Sequence, residues 1–141
     1  MIEMPSHNRA QAEREMRTIP VLPPHEALRR ELAEDPSLRQ ELSDVVLSKS
    51  LAGSFYAWPT VLSSDGSTVF PLELFVDGVP TTKRDSMIGF HVVNTLSGAR
   101  HILACLRKSR LCSCGCRGWC SFSQIWGFLQ WSLALMASGL S

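Results

Sequence analysis

The 141-residue chain lacks the sequence patterns that mark the common enzyme classes. It has no glycine-rich phosphate loop and no serine in a nucleophile-elbow pattern, and its four histidines show no catalytic or metal-binding spacing. Residues 1–17 carry many charges where a secretory signal has an apolar core. The sequence therefore predicts an intracellular protein, nuclear or cytoplasmic and not secreted, without a recognisable complete active site.

Charge is nearly balanced over the whole chain but unevenly divided along it. The net charge is +1, yet residues 1–68 contain seven Lys or Arg against ten Asp or Glu, and residues 69–141 contain seven against three. A basic C-terminal half permits a polyanionic partner such as DNA. The excess is much smaller than in typical nucleic-acid-binding domains, so the predicted affinity is weak.

Cysteine is absent before Cys105, and all five cysteines lie within residues 105–120. In a reducing compartment such close spacing favours metal or redox chemistry over structural disulfides. The segment 112–120, called the cysteine loop below, is a candidate zinc site, because thiolates bind Zn²⁺ tetrahedrally and its glycines permit a tight turn. Its proposed ligands are Cys112, Cys114, Cys116 and Cys120.

The spacing of these cysteines differs from the paired Cys-x2-Cys motif of common zinc sites, and so short a loop would close one tetrahedron under strain. Cys105 or His101, both on the preceding strand, is an alternative source of one ligand. A reduced, partly exposed thiol cluster without metal is a further interpretation. Basic residues that could contact phosphates bracket the cluster, namely Lys83, Arg84, Arg107, Lys108, Arg110 and Arg117.

The N-terminal part divides into two segments. Residues 1–24 are predicted to be flexible, with a short helical run from an Ser6 N-cap to Arg17, followed by a proline-rich linker. Residues 25–68 are predicted to form two short helices or one broken helix, restarted at Asp35 and Pro36, and then an aromatic loop over 53–59 and a turn over 63–67.

The hydrophobic period changes from helical to alternating near Val69, which defines a third segment, residues 69–141. Runs over 69–76, 87–94 and 100–106 predict three antiparallel strands, with Gly98 in the last turn. Residues 122–140 contain no charged residue and predict an apolar helix packed on the sheet. A membrane span is disfavoured by the polar residues in this stretch. The predicted fold class is therefore α+β.

Asp77 is the candidate catalytic residue. A carboxylate at the end of the first of three antiparallel strands, with a helix after the third, is the arrangement of the ribonuclease-H-like fold. Two-metal phosphoryl transfer with Mg²⁺ needs several converging carboxylates, and Asp77 supplies only one. Asp85 is too near in sequence to be the usual second acid. Asp77 is therefore interpreted as vestigial, with Mg²⁺ bound only if another chain completes the site. Asp77-Gly78 is also a common turn dipeptide.

Three stretches carry a resemblance to a known group of proteins: residues 70–86 (FPLELFVDGVPTTKRDS), 98–101 (GARH) and 106–121 (LRKSRLCSCGCRGWCS). They resemble multi-copy, transposon-derived open reading frames of dinoflagellate-type genomes, which look like distant relatives of cut-and-paste transposases. The resemblance implies that Asp77 occupies the position of the first catalytic acid. Longer relatives continue where this chain ends, which implies a truncated, catalytically inactive copy.

The sequence also allows an alternative function of a different class. The apolar helix predicted over 122–140 can dock another protein chain, or less favourably a membrane, in a small interaction protein. Zinc binding and salt-sensitive DNA binding are expected of the transposase-derived module and not of the interaction protein.

Overall fold

The computed structural model describes residues 1–8, 10–48, 50, 53 and 70–138. In chain order the elements are β1 (Ile2–Asn8), β2 (Glu13–Ile19), α1 (Pro24–Glu34), α2 (Leu38–Leu47), β3 (Leu72–Thr82), β4 (Asp85–Asn94), β5 (Arg100–Arg107), a 3₁₀ helix (Lys108–Arg110) and α3 (Trp119–Ala137).

The central sheet has the order β3-β4-β5, with both pairs antiparallel. The prediction of three antiparallel strands in the C-terminal half is confirmed. Gly98 adopts φ +74°, a left-handed conformation that glycine takes without steric cost, and its N–H donates to the Asn94 carbonyl at 2.8 Å. The turn between β4 and β5 is thus closed as expected. β3 runs to Thr82, six residues beyond the predicted end.

Helix α3 lies across one face of this sheet. Ile125 and Leu129, one helical turn apart, are buried in a core cluster with Phe90 from β4 and Leu103 from β5. The Phe90 ring also meets the Trp126 ring edge-on at a centroid distance of 5.6 Å. The predicted packing of an apolar helix on the sheet is confirmed, and with it the α+β class. None of the described helices combines the length and apolarity needed to cross a membrane.

The N-terminal residues form a β-hairpin, so the predicted helix over residues 6–17 is wrong. β1 and β2 pair antiparallel, and Ser6 lies opposite Glu15 instead of capping a helix. Met4, Pro5 and Ser6 of β1 are all buried, and Met4 joins the core cluster, where it is 1% exposed. The hairpin itself has few apolar residues, and the contact of Met4 with the core provides the apolar burial that stabilises it. The segment is therefore docked on the core and is not the flexible lead-in that was predicted.

The proline-rich segment after β2 is extended, as its prolines require, but it is attached to the sheet. Val21 forms a bridge with Ala104 on β5, and the Leu22 N–H donates to the Leu103 carbonyl at 2.8 Å. Through these contacts the segment that precedes α1 in the chain covers the outer edge of β5. A segment predicted as a linker thus helps to protect a strand edge.

Helices α1 and α2 confirm the prediction of two short helices between the linker and the sheet. Asp35 lies between them, and its carboxylate accepts the Ser37 N–H at 3.0 Å, which supports its expected role at the start of the second helix. Apart from Gly53, the predicted aromatic loop over 53–59 and the turn over 63–67 lie outside the described residues.

Candidate metal centre

The cysteine loop connects the 3₁₀ helix to α3 through three residues in the left-handed region. These are Gly115 at φ +91°, Arg117 at φ +53° and Gly118 at φ +86°. The two glycines adopt this conformation freely, whereas Arg117 does so at some steric cost. The resulting reversals fold the chain back on itself, so that Cys120 in the first turn of α3 approaches the other three cysteines of the loop.

The four predicted ligands converge. The sulfur atoms of Cys112, Cys114, Cys116 and Cys120 all lie within 4.8 Å of one another, and the Sγ atoms of Cys114 and Cys120 are 3.7 Å apart. In a tetrahedral site with metal–sulfur bonds of about 2.3 Å, the sulfurs are about 3.8 Å apart. The cluster therefore has the size needed to hold a metal ion, even though its spacing is not that of a paired Cys-x2-Cys motif.

Backbone geometry makes the four thiols unequal. The Cys120 N–H points at the Cys116 sulfur at 3.5 Å. This hydrogen bond stabilises the thiolate and lowers the pKa of Cys116 to about 6. The Cys116 side chain in turn raises the pKa of Cys120 to about 12. These hydrogen bonds favour the charged form of Cys116 and the neutral form of Cys120 in the metal-free protein.

Cys112 is the one ligand of the cluster that is fully buried, at 2% exposure. The backbone N–H of Cys114 acts to lower the pKa of Cys112, but burial and the neighbouring Cys114 and Cys116 thiols outweigh it and raise the pKa. Cys112 therefore keeps its proton in the metal-free protein more firmly than an exposed cysteine does.

Two buried hydroxyl groups attach the cysteine loop to the hairpin and the helix. Ser121 Oγ accepts the Cys112 N–H at 2.9 Å and donates to the Pro5 carbonyl at 2.5 Å. Ser6 Oγ donates to the Arg110 carbonyl at 2.6 Å, just before the loop. Both serines are fully buried. Sequence reasoning missed this role, because nothing in the local pattern distinguishes these serines from the exposed ones.

The two alternative ligands lie elsewhere. Cys105 is exposed on β5, opposite Gly89, and does not belong to the sulfur cluster. His101 Nε2 is 3.1 Å from a carboxylate oxygen of Glu31 on α1. The structure therefore supports the interpretation in which all four candidate ligands come from the loop and the first turn of α3.

Glu31 forms a second polar cluster that the sequence analysis did not identify. Its residue is only 8% exposed, and its carboxylate accepts hydrogen bonds from Asn94 Nδ2, at 3.0 Å, and from the Ser97 hydroxyl. With His101 as the third partner, all these groups are satisfied, as buried polar groups require. The cluster fastens α1 to the turn between β4 and β5, and the sequence shows Glu31 only as one charge among many on a helix.

Asp77 lies in the middle of β3, opposite Gly89, and not at a strand end or in a turn as predicted. Its side chain is exposed, and one carboxylate oxygen accepts the Gly78 N–H at 2.7 Å. Strand pairing with β4 continues past the Asp-Gly dipeptide, so the local turn signal is overridden. Within the described residues, the cysteine cluster is the only group of three or more acidic, His or Cys side chains close enough to share a metal, and no carboxylates converge on Asp77.

Four of the six predicted basic residues meet at one end of the sheet. Lys83 and Arg84 form the turn between β3 and β4, and Arg107 and Lys108 lie at the end of β5; all four are exposed. Asp85 joins the two segments, because its carboxylate accepts the Ser109 hydroxyl at 2.6 Å and the Ser109 N–H at 2.9 Å. The Ser109 hydroxyl is the main cause of the lowered pKa of Asp85.

No protein-family model, curated protein or solved structure matches the chain. The function is therefore inferred below from two structural features, the convergent sulfurs and the basic end of the sheet.

Proposed function

We propose that the cysteine loop binds one Zn²⁺ through Cys112, Cys114, Cys116 and Cys120, and that this zinc has a structural role. The observation that carries the proposal is the mutual approach of all four sulfurs within 4.8 Å. A set of four thiolates favours zinc over hard cations such as Mg²⁺. Four protein ligands also leave no open coordination position for substrate, which is typical of a structural and not of a catalytic site.

The proposed zinc connects the cysteine loop to the first turn of α3. The loop follows the sheet, its last ligand belongs to α3, and its first ligand is hydrogen-bonded to Ser121 beside the hairpin. A metal bound by all four sulfurs fixes the backbone path of this loop. Metal binding can offset the steric cost of the left-handed backbone conformation, which is otherwise unfavourable for a residue with a side chain. Zinc binding is therefore coupled to ordering of the junction between sheet and helix.

Protein purified under reducing conditions is expected to contain about one Zn²⁺ per chain, measured by elemental analysis. Cys116→Ser should lower both the zinc content and the melting temperature, because serine does not replace a thiolate ligand. Cys105→Ser is the matched control, since this exposed thiol lies outside the cluster, and it should change neither quantity.

The zinc proposal is contradicted if the reduced protein binds no zinc while all five thiols of the folded chain react freely with a thiol reagent. It is also contradicted if Cys105→Ser and Cys116→Ser reduce the zinc content to the same extent, since the ligand would then be Cys105 as much as Cys116.

We further propose that the chain is a transposase-derived module without phosphoryl-transfer activity of its own. Asp77 is exposed and no carboxylates of the described residues converge on it, which supports the absence of activity, because one carboxylate does not hold two Mg²⁺ ions. Any Mg²⁺ site at Asp77 requires acidic residues from another chain. The kinship with transposon-derived reading frames rests on the resemblance of residues 70–121 described above.

The same module is proposed to bind nucleic acid weakly through the basic end of the sheet. Lys83, Arg84 and Lys108 are exposed, and none of them takes part in an ion pair with another described residue. Contacts to phosphates release counterions, so the binding has to weaken steeply as salt rises. Base recognition is not part of this proposal.

Fluorescence anisotropy with labelled duplex DNA at low salt tests this surface. Replacing Lys83 and Arg84 together by Glu is expected to weaken binding at least about tenfold and to flatten the salt dependence, because two phosphate contacts are lost. Replacing the exposed Arg29 and Arg30 on α1 by Glu is the matched control for net charge. Equal losses in the two double variants would contradict a localised interface, and the labelled DNA should remain uncleaved with Mg²⁺ present.

A specific observation also favours the second candidate function, docking of another protein chain on α3. Trp119, Trp131 and Leu133 are 62%, 51% and 41% exposed on this helix, which also carries the buried residues Ile125 and Leu129. Exposed large apolar side chains offer contacts to another protein chain. A protein-docking role requires neither zinc nor DNA affinity, so the two experiments above separate the two functions.

A further inference from the structure

Accessibility divides the four cysteines of the metal centre into two kinds. Cys112 is buried, whereas Cys114 is exposed and both Cys116 and Cys120 are half-buried. The exposed sulfur and one half-buried sulfur are also neighbours, since Cys114 Sγ and Cys120 Sγ are 3.7 Å apart. An open groove between the β1–β2 hairpin and the loop, lined by His7, Arg14 and Cys114 among others, leads to this side of the cluster. Small polar molecules therefore reach Cys114 directly.

We propose that Cys114 and Cys120 form an oxidative modification site, at which a hydroperoxide converts the two thiolates into a disulfide and zinc leaves the cluster. The inference rests on the proposed zinc site and adds a reversible means of emptying it.

The reaction is balanced with hydrogen peroxide as the oxidant. The Cys114 thiolate attacks one peroxide oxygen, so that a sulfur–oxygen bond forms, the oxygen–oxygen bond breaks and hydroxide leaves as water after protonation. The Cys120 thiolate then attacks the resulting sulfenic sulfur, a sulfur–sulfur bond forms and a second hydroxide leaves as water. Two thiolates, one peroxide and two protons give one disulfide and two water molecules.

Exposure and proximity together favour this pair, because Cys114 is the exposed sulfur and lies 3.7 Å from Cys120, whereas the Cys116 sulfur is hydrogen-bonded to the Cys112 carbonyl and the Cys120 N–H. A disulfide has a sulfur–sulfur length of about 2.05 Å, so the Cys114 and Cys120 sulfurs need to move together by less than about 2 Å. Gly115 and Gly118 between them provide the backbone freedom for this movement, because glycine tolerates a wide range of φ and ψ angles. Cys105 does not compete, since its sulfur lies outside the cluster.

Disulfide formation removes two of the four zinc ligands at once. The remaining Cys112 and Cys116 do not satisfy a tetrahedral ion, so zinc is released. The contacts that dock the loop do not involve sulfur: Ser121 Oγ bonds the Cys112 N–H and the Pro5 carbonyl. Oxidation is therefore expected to empty the metal site while the sheet, the hairpin and α3 remain packed.

The test uses the full chain, loaded with zinc under reducing conditions and then freed of reductant. Hydrogen peroxide is added in steps, released zinc is followed with a chromogenic chelator, and disulfides are mapped by mass spectrometry of proteolytic peptides. One zinc should be released per disulfide formed, the disulfide should join Cys114 to Cys120, and far-ultraviolet circular dichroism should stay unchanged. Dithiothreitol with added zinc should restore the starting state.

Two variants and one metal-free sample sharpen the result. Cys114→Ser should abolish the mapped disulfide, whereas Cys105→Ser should leave it intact. Because a serine at position 114 also weakens zinc binding, the mapping is repeated on reduced, metal-free wild-type protein, where the Cys114–Cys120 disulfide should again predominate.

The inference is overturned if the predominant disulfide joins another pair, if peroxide yields sulfinic acid without a disulfide, or if zinc is released only when the circular dichroism signal of folded protein disappears. Zinc content measured before peroxide is added reports separately on the proposed metal site. If the protein loaded with zinc under reducing conditions contains none before peroxide is added, yet forms the Cys114–Cys120 disulfide, the zinc proposal and the release step are contradicted and the modification site is supported.

Discussion

Phe90→Ala is expected to lower the free energy of unfolding by about 3–5 kcal/mol, as large-to-small substitutions of fully buried aromatic residues do. Phe90 is 0% exposed at the centre of the core, and its ring meets those of Phe122 and Trp126 on α3. Alanine removes both ring contacts and leaves a cavity between sheet and helix. Urea denaturation followed by tryptophan fluorescence measures the loss directly.

The matched control is Phe75→Ala on the adjacent strand β3. Phe75 is 48% exposed, so its truncation should cost less than about 1 kcal/mol. A loss at Phe75 as large as that at Phe90 would contradict the placement of the core on the helix-covered face. Because marginal domains have only about 5–15 kcal/mol of stability, Phe90→Ala is also expected to reduce the yield of folded protein.

The sheet and α3 were predictable from sequence because their signals are local and strong. Branched and aromatic residues alternate through residues 87–94, and the turn that follows has Gly98 where a left-handed residue is needed. The stretch without charged residues that begins near Phe122 predicts an apolar helix, and packing on the sheet is the simplest way to bury it. In these segments local propensity and tertiary packing favour the same structure.

The hairpin was not predictable because its stability comes from distant residues. Met4 and Ser6 have neither a long apolar run nor a turn motif around them, and the charges of residues 9–17 suit a short helix equally well. What fixes the strand is contact with the core cluster, with Arg110 and with Ser121, more than 100 residues later in two of these cases. Such contacts are invisible in a local window.

The metal centre was predictable in composition but not in geometry. Cysteine density alone indicated residues 112–120, yet the expectation of strain left Cys105 and His101 as alternative ligands. The loop closes because Arg117 joins Gly115 and Gly118 in the left-handed region, which an arginine rarely adopts. Asp77 illustrates the opposite error, because it was predicted at the end of the first strand, whereas pairing between β3 and β4 carries the strand past it.

Ser121→Ala is expected to lower the free energy of unfolding by at least about 2 kcal/mol, although it removes a single oxygen atom. Ser121 Oγ satisfies two groups at once, the Cys112 N–H and the Pro5 carbonyl. Each buried polar group left without a partner costs about 1–3 kcal/mol. No other described side-chain hydrogen bond joins the hairpin, the cysteine loop and α3 through one atom, so the loss should spread to all three.

Hydrogen exchange and zinc titration distinguish this role from a general loss of stability. In Ser121→Ala, the amides of β1 should exchange faster and zinc should bind more weakly, while the amides of β4 keep their relative protection. Ser123→Ala is the control from the same helix turn, because Ser123 Oγ donates only to the Cys120 carbonyl within α3. If both alanine variants lose stability equally, or if β1 keeps its protection without the Ser121 hydroxyl, the hairpin is held by its apolar contacts through Met4 and not by the bond to Pro5.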